Sequence, residues 1–199
     1  NFSHGGGLHA ITLATYVFAQ MLRHVKGIDA HIELQRQKKW EPMLLPGELT
    51  DLVIGIVGFG GIGKEIARLA KAFRMTVLAT KRTKVSSKHL DHLFKPSDLE
   101  MMLSKCDFVI NCLPVTEETK KIFLLKQFKV MKSSSMFINV GRGETVSEDD
   151  LFSALTTGEI QCAALDTTDP EPLERESPLW ELDNCFITPH DSAWGPRTP

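Results

Sequence analysis

Three residues near the end of the sequence have side chains that suit chemistry on a small organic acid. Arg142 lies in a Gly-Arg-Gly turn, Glu171 lies between two prolines, and His190 follows a Thr-Pro pair. An arginine can hold a carboxylate through two parallel hydrogen bonds, and a histidine supported by a carboxylate can move a proton near neutral pH. Together the three types indicate an enzyme that handles a small carbonyl acid. Taken singly, each also has a structural explanation, as a surface charge, a loop charge or a buried histidine.

The elements that must position these residues are short apolar runs separated by helical patterns. Such runs are typical of buried parallel strands. The predicted strands span residues 52–57, 76–80, 108–113, 136–140, 163–165 and 186–188. The predicted helices span residues 62–73, 97–104, 117–131 and 148–155. We therefore predict an α/β fold with a doubly wound parallel sheet, in which the residues that follow the strands meet at one edge.

A glycine-rich turn follows the first predicted strand and begins the first predicted helix. Gly58, Gly60 and Gly63 fit the pattern G-x-G-x-x-G, with Gly61 and Ile62 between the last two. The first glycine permits a tight turn, the second lets a pyrophosphate approach the backbone, and the third lets helix and strand pack closely. The phosphates would lie at the helix N-terminus. This context predicts a Rossmann dinucleotide-binding domain, although glycine-rich turns also occur for structural reasons alone.

The end of the second predicted strand bears on the choice between NADP and NAD. An NAD site usually has an acidic residue there, which binds the ribose 2′-hydroxyl. Here the segment reads Ala79-Thr80-Lys81-Arg82-Thr83, without a carboxylate. Two cations and two hydroxyl groups suit a 2′-phosphate, so the sequence favours NADP(H), with NAD(H) possible. Alternatively, the two cations only solvate the end of a loop.

The first part of the chain has an apolar stripe at helical spacing, formed by Leu8, Ile11, Thr15, Phe18, Leu22, Val25 and Ile32. We predict one long amphipathic helix that Gly27 can bend. Residues 1–45 are assigned to this helix and a linker, which pack on their own domain or form an interdomain or dimer contact. Residues 46–190 are assigned to the Rossmann domain, and residues 191–199 to the start of a return to a substrate domain.

Composition excludes several classes of protein. The 199 residues are 42% hydrophobic and 24% charged, as in ordinary globular domains, and the formal net charge of −2 gives no electrostatic reason to expect nucleic acid or an anionic membrane as a partner. Cys106, Cys112, Cys162 and Cys185 lie far apart, without a Cys-x-x-Cys pair. This spacing predicts no metal site or disulfide framework, and a reducing, cytoplasmic compartment. The apolar segment 8–22 is too short to cross a bilayer.

The sequence resembles the coenzyme domain of the D-isomer-specific 2-hydroxyacid dehydrogenases, the family that includes glyoxylate/hydroxypyruvate reductases and glycerate and phosphoglycerate dehydrogenases. The matching motifs follow in family order at residues 58–63, 112–114, 118–119, 139–143, 165–172 and 188–190. Similarity covers nearly the whole chain, and the last three motifs are more specific than the glycine loop. Departures include Ser147, where Asp is usual, and Thr167, where Val is usual.

The resemblance implies a role for each matching residue. Arg142 would hold the substrate's carboxylate and carbonyl, His190 would be the general acid and base, and Glu171 would pair with His190 and favour its charged form. Asp166 would take the nicotinamide carboxamide. The remaining residues of the implied cofactor site are Gly58, Gly60, Gly61, Ile62, Gly63, Thr80, Lys81, Arg82, Leu113, Pro114, Thr119, Val140 and Gly141, and both Arg142 and His190 would also touch the cofactor.

The resemblance also implies a partner domain and a partner subunit. Family members carry a substrate domain formed by sequence before and after this region, so we expect this chain to be a fragment that binds cofactor but turns over little of a small 2-oxo or 2-hydroxy acid. A homodimer is expected, with contacts from the first helix and the segment near Trp40. A second hypothesis stays open, because the same fold serves non-catalytic dinucleotide sensors that keep all three catalytic residues.

Overall fold

Seven strands form one parallel sheet in the computed structural model, which describes residues 9–42 and 47–195. They are β1 (Val53–Val57), β2 (Thr76–Thr80), β3 (His92–Phe94), β4 (Phe108–Asn111), β5 (Met136–Asn139), β6 (Cys162–Leu165) and β7 (Cys185–Ile187). Their order in the sheet is β3-β2-β1-β4-β5-β6-β7, and every neighbouring pair is parallel. The sequence therefore runs outward from β1 in one direction and then from β4 in the other. This arrangement confirms the predicted doubly wound α/β fold.

Helices cover both faces of the sheet. The α-helices of the described residues are α1 (Ala10–Val25), α2 (Ile28–Arg36), α3 (Gly61–Ala72), α4 (Leu99–Leu103), α5 (Leu125–Lys129) and α6 (Glu148–Thr157), of which α2 has no buried residue. Buried side chains of α1 and α3 share one apolar cluster with alternate residues of the strands, and those of α4, α5 and α6 share a second cluster on the opposite face. Burial on both faces explains why the central strands are continuously apolar rather than alternating.

The predicted N-terminal helix is divided in two, and its buried face differs from the predicted stripe. Gly27 adopts a φ of +58°, a conformation that glycine reaches without strain, and separates α1 from α2 as a bend. Ile11 of the predicted stripe is 60% exposed, whereas Ala14 and Val17 are fully buried. The prediction followed the largest apolar residues. The buried face instead combines Ala14 and Val17 with Leu13, Phe18 and Met21, and it packs against α3.

Two other predictions of secondary structure were wrong. The predicted helix over residues 117–131 is helical only over Leu125–Lys129. The backbone of Phe123 bonds instead to the 145–147 segment, because its N–H donates to Thr145 and its carbonyl accepts from Ser147. Strand β3 was missed, since it is only three residues long and forms no extended apolar run. Asp91 fixes the start of β3 by accepting from the Val77 N–H and pairing with Lys71.

Candidate active site

The carboxyl ends of the strands bring the predicted site residues to one edge of the sheet. The glycine loop follows β1, the Arg142 turn follows β5, Asp166 follows β6, and His190 follows β7 by three residues. Strands β1 and β4 are neighbours but belong to opposite halves of the winding, so the glycine loop lies at the topological switch point. Ligands of open α/β sheets bind at such a point.

The three glycines of the loop meet different structural demands. Gly58 has a φ of +102°, which side chains rarely tolerate, and a β-carbon at Gly63 would lie 2.6 Å from the Gly58 carbonyl oxygen. These two positions are therefore required by the fold. A β-carbon at Gly60 would meet no atom within 4 Å. Gly60 is instead open toward the space in which a ligand would approach the backbone.

A cavity of about 270 Å³ adjoins this loop, and we call it the glycine-loop cavity. Its lining includes eight predicted cofactor residues: Gly58, Gly60, Thr80, Lys81, Arg82, Leu113, Pro114 and Thr119. Lys81 is tied to the loop, because its Nζ donates to the Phe59 carbonyl oxygen at 2.9 Å. Gly61, Ile62 and Gly63 lie behind the lining in the first turn of α3, where the backbone N–H groups have no partner within the helix.

The residues around the cavity fit a dinucleotide. The N-terminus of α3 provides N–H groups and a positive dipole end for a pyrophosphate, and Lys81 and Arg82 add two cations. The side chains of Leu99, Leu113 and Ile122 form an apolar part of the cavity lining. Cys112 also lines the cavity, and burial raises the pKa of its thiol to about 12. That thiol therefore stays protonated and acts as wall rather than as a nucleophile.

His190 and Glu171 form a hydrogen-bonded pair. The distance from His190 Nδ1 to Glu171 Oε1 is 2.6 Å, and the two side chains are 38% and 42% exposed. Because the Glu171 carboxylate accepts this bond, His190 Nδ1 carries a proton. His190 Nε2 is therefore the ring nitrogen that can exchange a proton with a substrate. The pair lines a second cavity of about 660 Å³, the histidine cavity, together with Asp166, Thr168, Pro172, Leu173, Trp180, Ile187, Thr188 and Pro189.

Asp166 is 1% exposed, and both of its carboxylate oxygens are bound by protein groups. Oδ1 accepts from the Thr188 hydroxyl at 2.7 Å and from the Ser192 N–H at 3.2 Å. The Ser192 hydroxyl donates to Oδ2. Asp166 thus holds the backbone on both sides of His190, and this structural role was not predicted from the sequence.

A buried amide network holds the turn that carries Arg142. Asn111 and Asn139 face each other across β4 and β5, and Asn111 Nδ2 donates to Asn139 Oδ1 at 2.9 Å. The Arg142 carbonyl accepts from the Thr145 hydroxyl at 2.6 Å and from Asn139 Nδ2 at 3.3 Å. Asn139 Oδ1 also accepts from the Gly141 N–H. These bonds fix the backbone of the turn, although each partner lies on a different element.

The Arg142 side chain lies apart from the His190–Glu171 pair. Arg142 is exposed, its Nη1 donates to the carbonyl of neighbouring Gly141 at 2.7 Å, and it lines neither the glycine-loop cavity nor the histidine cavity. Val140 and Gly141 are buried at the same strand end. A β-carbon at Gly141 would lie 2.7 Å from the Leu113 carbonyl oxygen, so this turn abuts the glycine-loop cavity through its backbone.

Sequence reasoning missed several residues of the site. Tyr16 contacts Thr188 across 172 positions of sequence, and no local pattern marks such a pair. Trp180 lines the histidine cavity, whereas Trp194 is 76% exposed and does not. Within residues 9–42 and 47–195, no three His, Cys, Asp or Glu side chains are grouped to hold a metal ion. No helix in the same residues has the length and apolar character needed to cross a bilayer.

The fold and the glycine loop place the chain among the Rossmann-type dinucleotide-binding domains. Comparison with known families makes this specific: the model for the D-isomer specific 2-hydroxyacid dehydrogenase, NAD binding domain, matches residues 18–192. The chain belongs to this family, as the order of its motifs predicted.

Similar proteins agree with this assignment. A glyoxylate reductase from Pyrococcus furiosus is 39% identical over 187 residues, which cover 89% of this chain and 55% of that protein. The crystal structure of phosphoglycerate dehydrogenase from Lactobacillus plantarum superimposes with a TM-score of 0.89 at 34% identity, over 95% of this chain and 61% of that one. An NADPH-dependent glyoxylate/hydroxypyruvate reductase from Sinorhizobium meliloti, in complex with NADP and sulfate, gives a TM-score of 0.85 at 30% identity, over 92% and 59%. The chain thus spans little more than half the length of these relatives.

Proposed function

We propose that the polypeptide containing this chain reduces a small 2-oxo acid with NADPH and oxidises the corresponding D-2-hydroxy acid in reverse. The observation that carries the proposal is the 2.6 Å hydrogen bond between His190 Nδ1 and Glu171 Oε1 at the carboxyl edge of the sheet. The names of the Pyrococcus furiosus and Sinorhizobium meliloti relatives favour a substrate of the glyoxylate or hydroxypyruvate kind. Because the chain spans 55% to 61% of such relatives, the proposal concerns the whole polypeptide.

In this proposal each side chain has one task. The bound nicotinamide supplies the hydride-transfer chemistry. His190 donates a proton from Nε2 to the carbonyl oxygen during reduction and accepts the hydroxyl proton during oxidation, while its Nδ1–H stays bound to Glu171. Arg142 leaves the Gly141 carbonyl and holds the substrate carboxylate in a bidentate pair. Asp166, whose oxygens can accept further bonds, binds the carboxamide of the nicotinamide.

Substitution at His190 separates a catalytic role from a binding role. With His190→Gln in the full-length polypeptide, we expect kcat for glyoxylate or hydroxypyruvate to fall at least a hundredfold, because no group then transfers the proton. The dissociation constant of NADPH, measured by fluorescence titration, should change far less. Tight NADPH binding by the wild type without any hydride transfer to glyoxylate, hydroxypyruvate or pyruvate would instead favour the dinucleotide sensor.

The preference for NADPH rests on Lys81 and Arg82 at the end of β2. Lys81 is bound to the Phe59 carbonyl, so the exposed Arg82 is the cation more available to a 2′-phosphate. We expect Arg82→Gln to weaken NADPH binding about tenfold or more and to leave NADH binding nearly unchanged. Glu118→Gln is the matched control on the same cavity, because the Glu118 carboxylate is tied to the Thr116 hydroxyl at 2.7 Å. Equal losses for the two cofactors with Arg82→Gln would exclude contact with the 2′-phosphate.

We also propose a homodimer and a cytoplasmic location. Helix α2 has no buried residue; its Ile28 and Ile32 are 42% and 41% exposed, and Trp40, four residues after its end, is 101% exposed. Apolar side chains grouped in this way favour a contact with a second subunit. A monomer by light scattering at micromolar concentration would contradict the homodimer. The four cysteines are free, which is typical of proteins from a reducing compartment.

A further inference from the structure

A chain of hydrogen bonds connects α1 to the carboxylate of Asp166. The Tyr16 hydroxyl lies 2.9 Å from Thr188 Oγ1, and Thr188 Oγ1 lies 2.7 Å from Asp166 Oδ1. A threonine hydroxyl has a single hydrogen, and the buried carboxylate can only accept. Thr188 therefore donates to Asp166, and Tyr16 donates to Thr188. The direction of the chain is set from α1 toward the site.

The same carboxylate is bonded on the other side of His190. Asp166 accepts from the Ser192 N–H and from the Ser192 hydroxyl. Thr188 and Ser192 lie two residues before and two residues after His190. The segment 188–192, which we call the histidine loop, is thus closed by one carboxylate at its base.

Helix α1 contacts this loop at both ends. Tyr16 binds Thr188, two residues before His190, and beyond the loop the Ala193 carbonyl accepts from the Thr12 hydroxyl at 3.1 Å and from His9 Nδ1 at 3.2 Å. The helix is itself anchored, because its buried face packs with α3 in the apolar cluster on that side of the sheet. The loop is therefore attached to a rigid element rather than to another loop.

The backbone of His190 shows why such attachment matters. Its φ is +54°, in the left-handed region that a non-glycine residue occupies only when its surroundings require it. The bonds at Thr188 and Ser192 hold the chain in it, and the ring then meets Glu171 at 2.6 Å.

We propose that Tyr16 is a positioning residue for His190, acting through the Thr188 hydroxyl and Asp166 to hold the histidine loop. The proposal rests on the proposed function for its effect on catalysis, but not for its effect on structure. Burial raises the pKa of Tyr16 to about 12, so the phenol remains a donor throughout the neutral range.

The kinetic test uses Tyr16→Phe in the full-length polypeptide, which removes the hydroxyl and keeps the ring. We expect kcat for 2-oxo acid reduction to fall about tenfold through misplacement of the general acid, with KM and Kd for NADPH within about twofold of wild type. Thr188→Val should lower kcat at least as far, and Thr188→Ser, which keeps the hydroxyl, should recover most of that loss. The double variant Tyr16→Phe/Thr188→Val should be no slower than Thr188→Val alone, because both act on one chain of bonds.

The matched control is Thr15→Val on the same helix. Thr15 is exposed, and its hydroxyl bonds only to the Ile11 carbonyl of its own helix, at 2.7 Å. This variant should keep the wild-type kcat. A Tyr16→Phe enzyme with wild-type kcat, or a double variant whose losses multiply, would overturn the proposal.

A second measurement does not depend on turnover. In the full-length polypeptide labelled with ¹³C-histidine, the Cε1–Hε1 signal of His190 should shift with Tyr16→Phe and remain in place with Thr15→Val. If the wild type reduces no 2-oxo acid, the proposed function fails and this spectrum alone decides the role of Tyr16. An unmoved His190 signal would contradict the positioning role. If Tyr16→Phe unfolds, the comparison of Thr188→Val with Thr188→Ser decides it.

Discussion

Gly143 packs so closely on Thr168 that a β-carbon at Gly143 would lie 1.9 Å from the Thr168 carbonyl oxygen. The turn that carries Arg142 therefore meets the segment leading to Glu171 with no side chain between them. The segment leading to Glu171 is also bonded to α6, because the Asp169 N–H donates to Glu148 Oε1 at 2.8 Å. The contact sets the placement of the Arg142 turn relative to Glu171, although the two segments follow different strands, β5 and β6.

Gly143→Ala should therefore disrupt the site through the backbone. The added methyl group would overlap the Thr168 carbonyl and approach the Asp169 nitrogen to 2.7 Å, and backbone atoms cannot rotate away. We expect a loss of about 1 to 3 kcal/mol in the free energy of unfolding, the usual cost of overpacking. Urea denaturation measures it, with Gly60→Ala as the control. A wild-type unfolding curve for Gly143→Ala would mean that the two segments separate freely.

Gly60→Ala should have the opposite profile, with an intact fold and weakened cofactor binding. Its β-carbon meets no atom within 4 Å and its φ of −91° suits alanine, so the free energy of unfolding should change by less than about 0.5 kcal/mol. The methyl group would, however, occupy the approach of a pyrophosphate, and we expect NADPH binding to weaken at least tenfold. Fluorescence titration measures this loss. Gly63→Ala, whose β-carbon would lie 2.6 Å from the Gly58 carbonyl oxygen, should instead lose stability.

The sequence was sufficient for the architecture because burial on both faces makes the strands of a parallel sheet recognisable. Six of the seven strands in the described residues were predicted, and the exception, β3, is an edge strand of only three residues. Its pairing depends on the Asp91 carboxylate, a tertiary contact that no local pattern shows. The buried face of α1 was likewise misassigned, because it is defined by what α3 presents to it.

For the candidate site, residue types were easier to predict than the bonds that hold them. The pairing of Glu171 with His190 was predicted from family order and is present at 2.6 Å. The resemblance gave Asp166 a role toward the cofactor, whereas the structure shows it bonded to Thr188 and Ser192. The sequence gives no sign of the role of Tyr16, because its partner Thr188 lies 172 residues further along the chain. Long-range side-chain bonds are therefore the part that requires coordinates.

Two threonines of the site should respond oppositely to the same substitution. Thr167 Oγ1 is buried without a hydrogen-bond partner among the described residues, so Thr167→Val should raise the free energy of unfolding by about 1 kcal/mol. Thr145 Oγ1 donates to the Arg142 carbonyl and accepts from Asn111, so Thr145→Val should lower it by about 1 to 3 kcal/mol. Chemical denaturation of both variants provides the comparison. A destabilised Thr167→Val would indicate that this hydroxyl has a partner, such as a bound water.

The half-buried His24 should lower the free energy of unfolding in mild acid. His24 lies at the carboxyl end of α1 with its ring edge against Phe108 and its Nδ1 3.4 Å from Cys162 Sγ, and burial lowers its pKa. Since the unfolded chain binds this proton near pH 6.5 and the folded protein only at lower pH, the free energy of unfolding should fall as the pH drops below about 7. The fall continues to the lowered folded pKa and then stops. Between pH 7.5 and 5.5, the free energy of unfolding should depend less steeply on pH in His24→Gln than in the wild type. The control His31→Gln, at an exposed position, should keep the wild-type slope. Equal slopes for His24→Gln and the wild type would show that the His24 ring is protonated as readily in the folded protein as in the unfolded one.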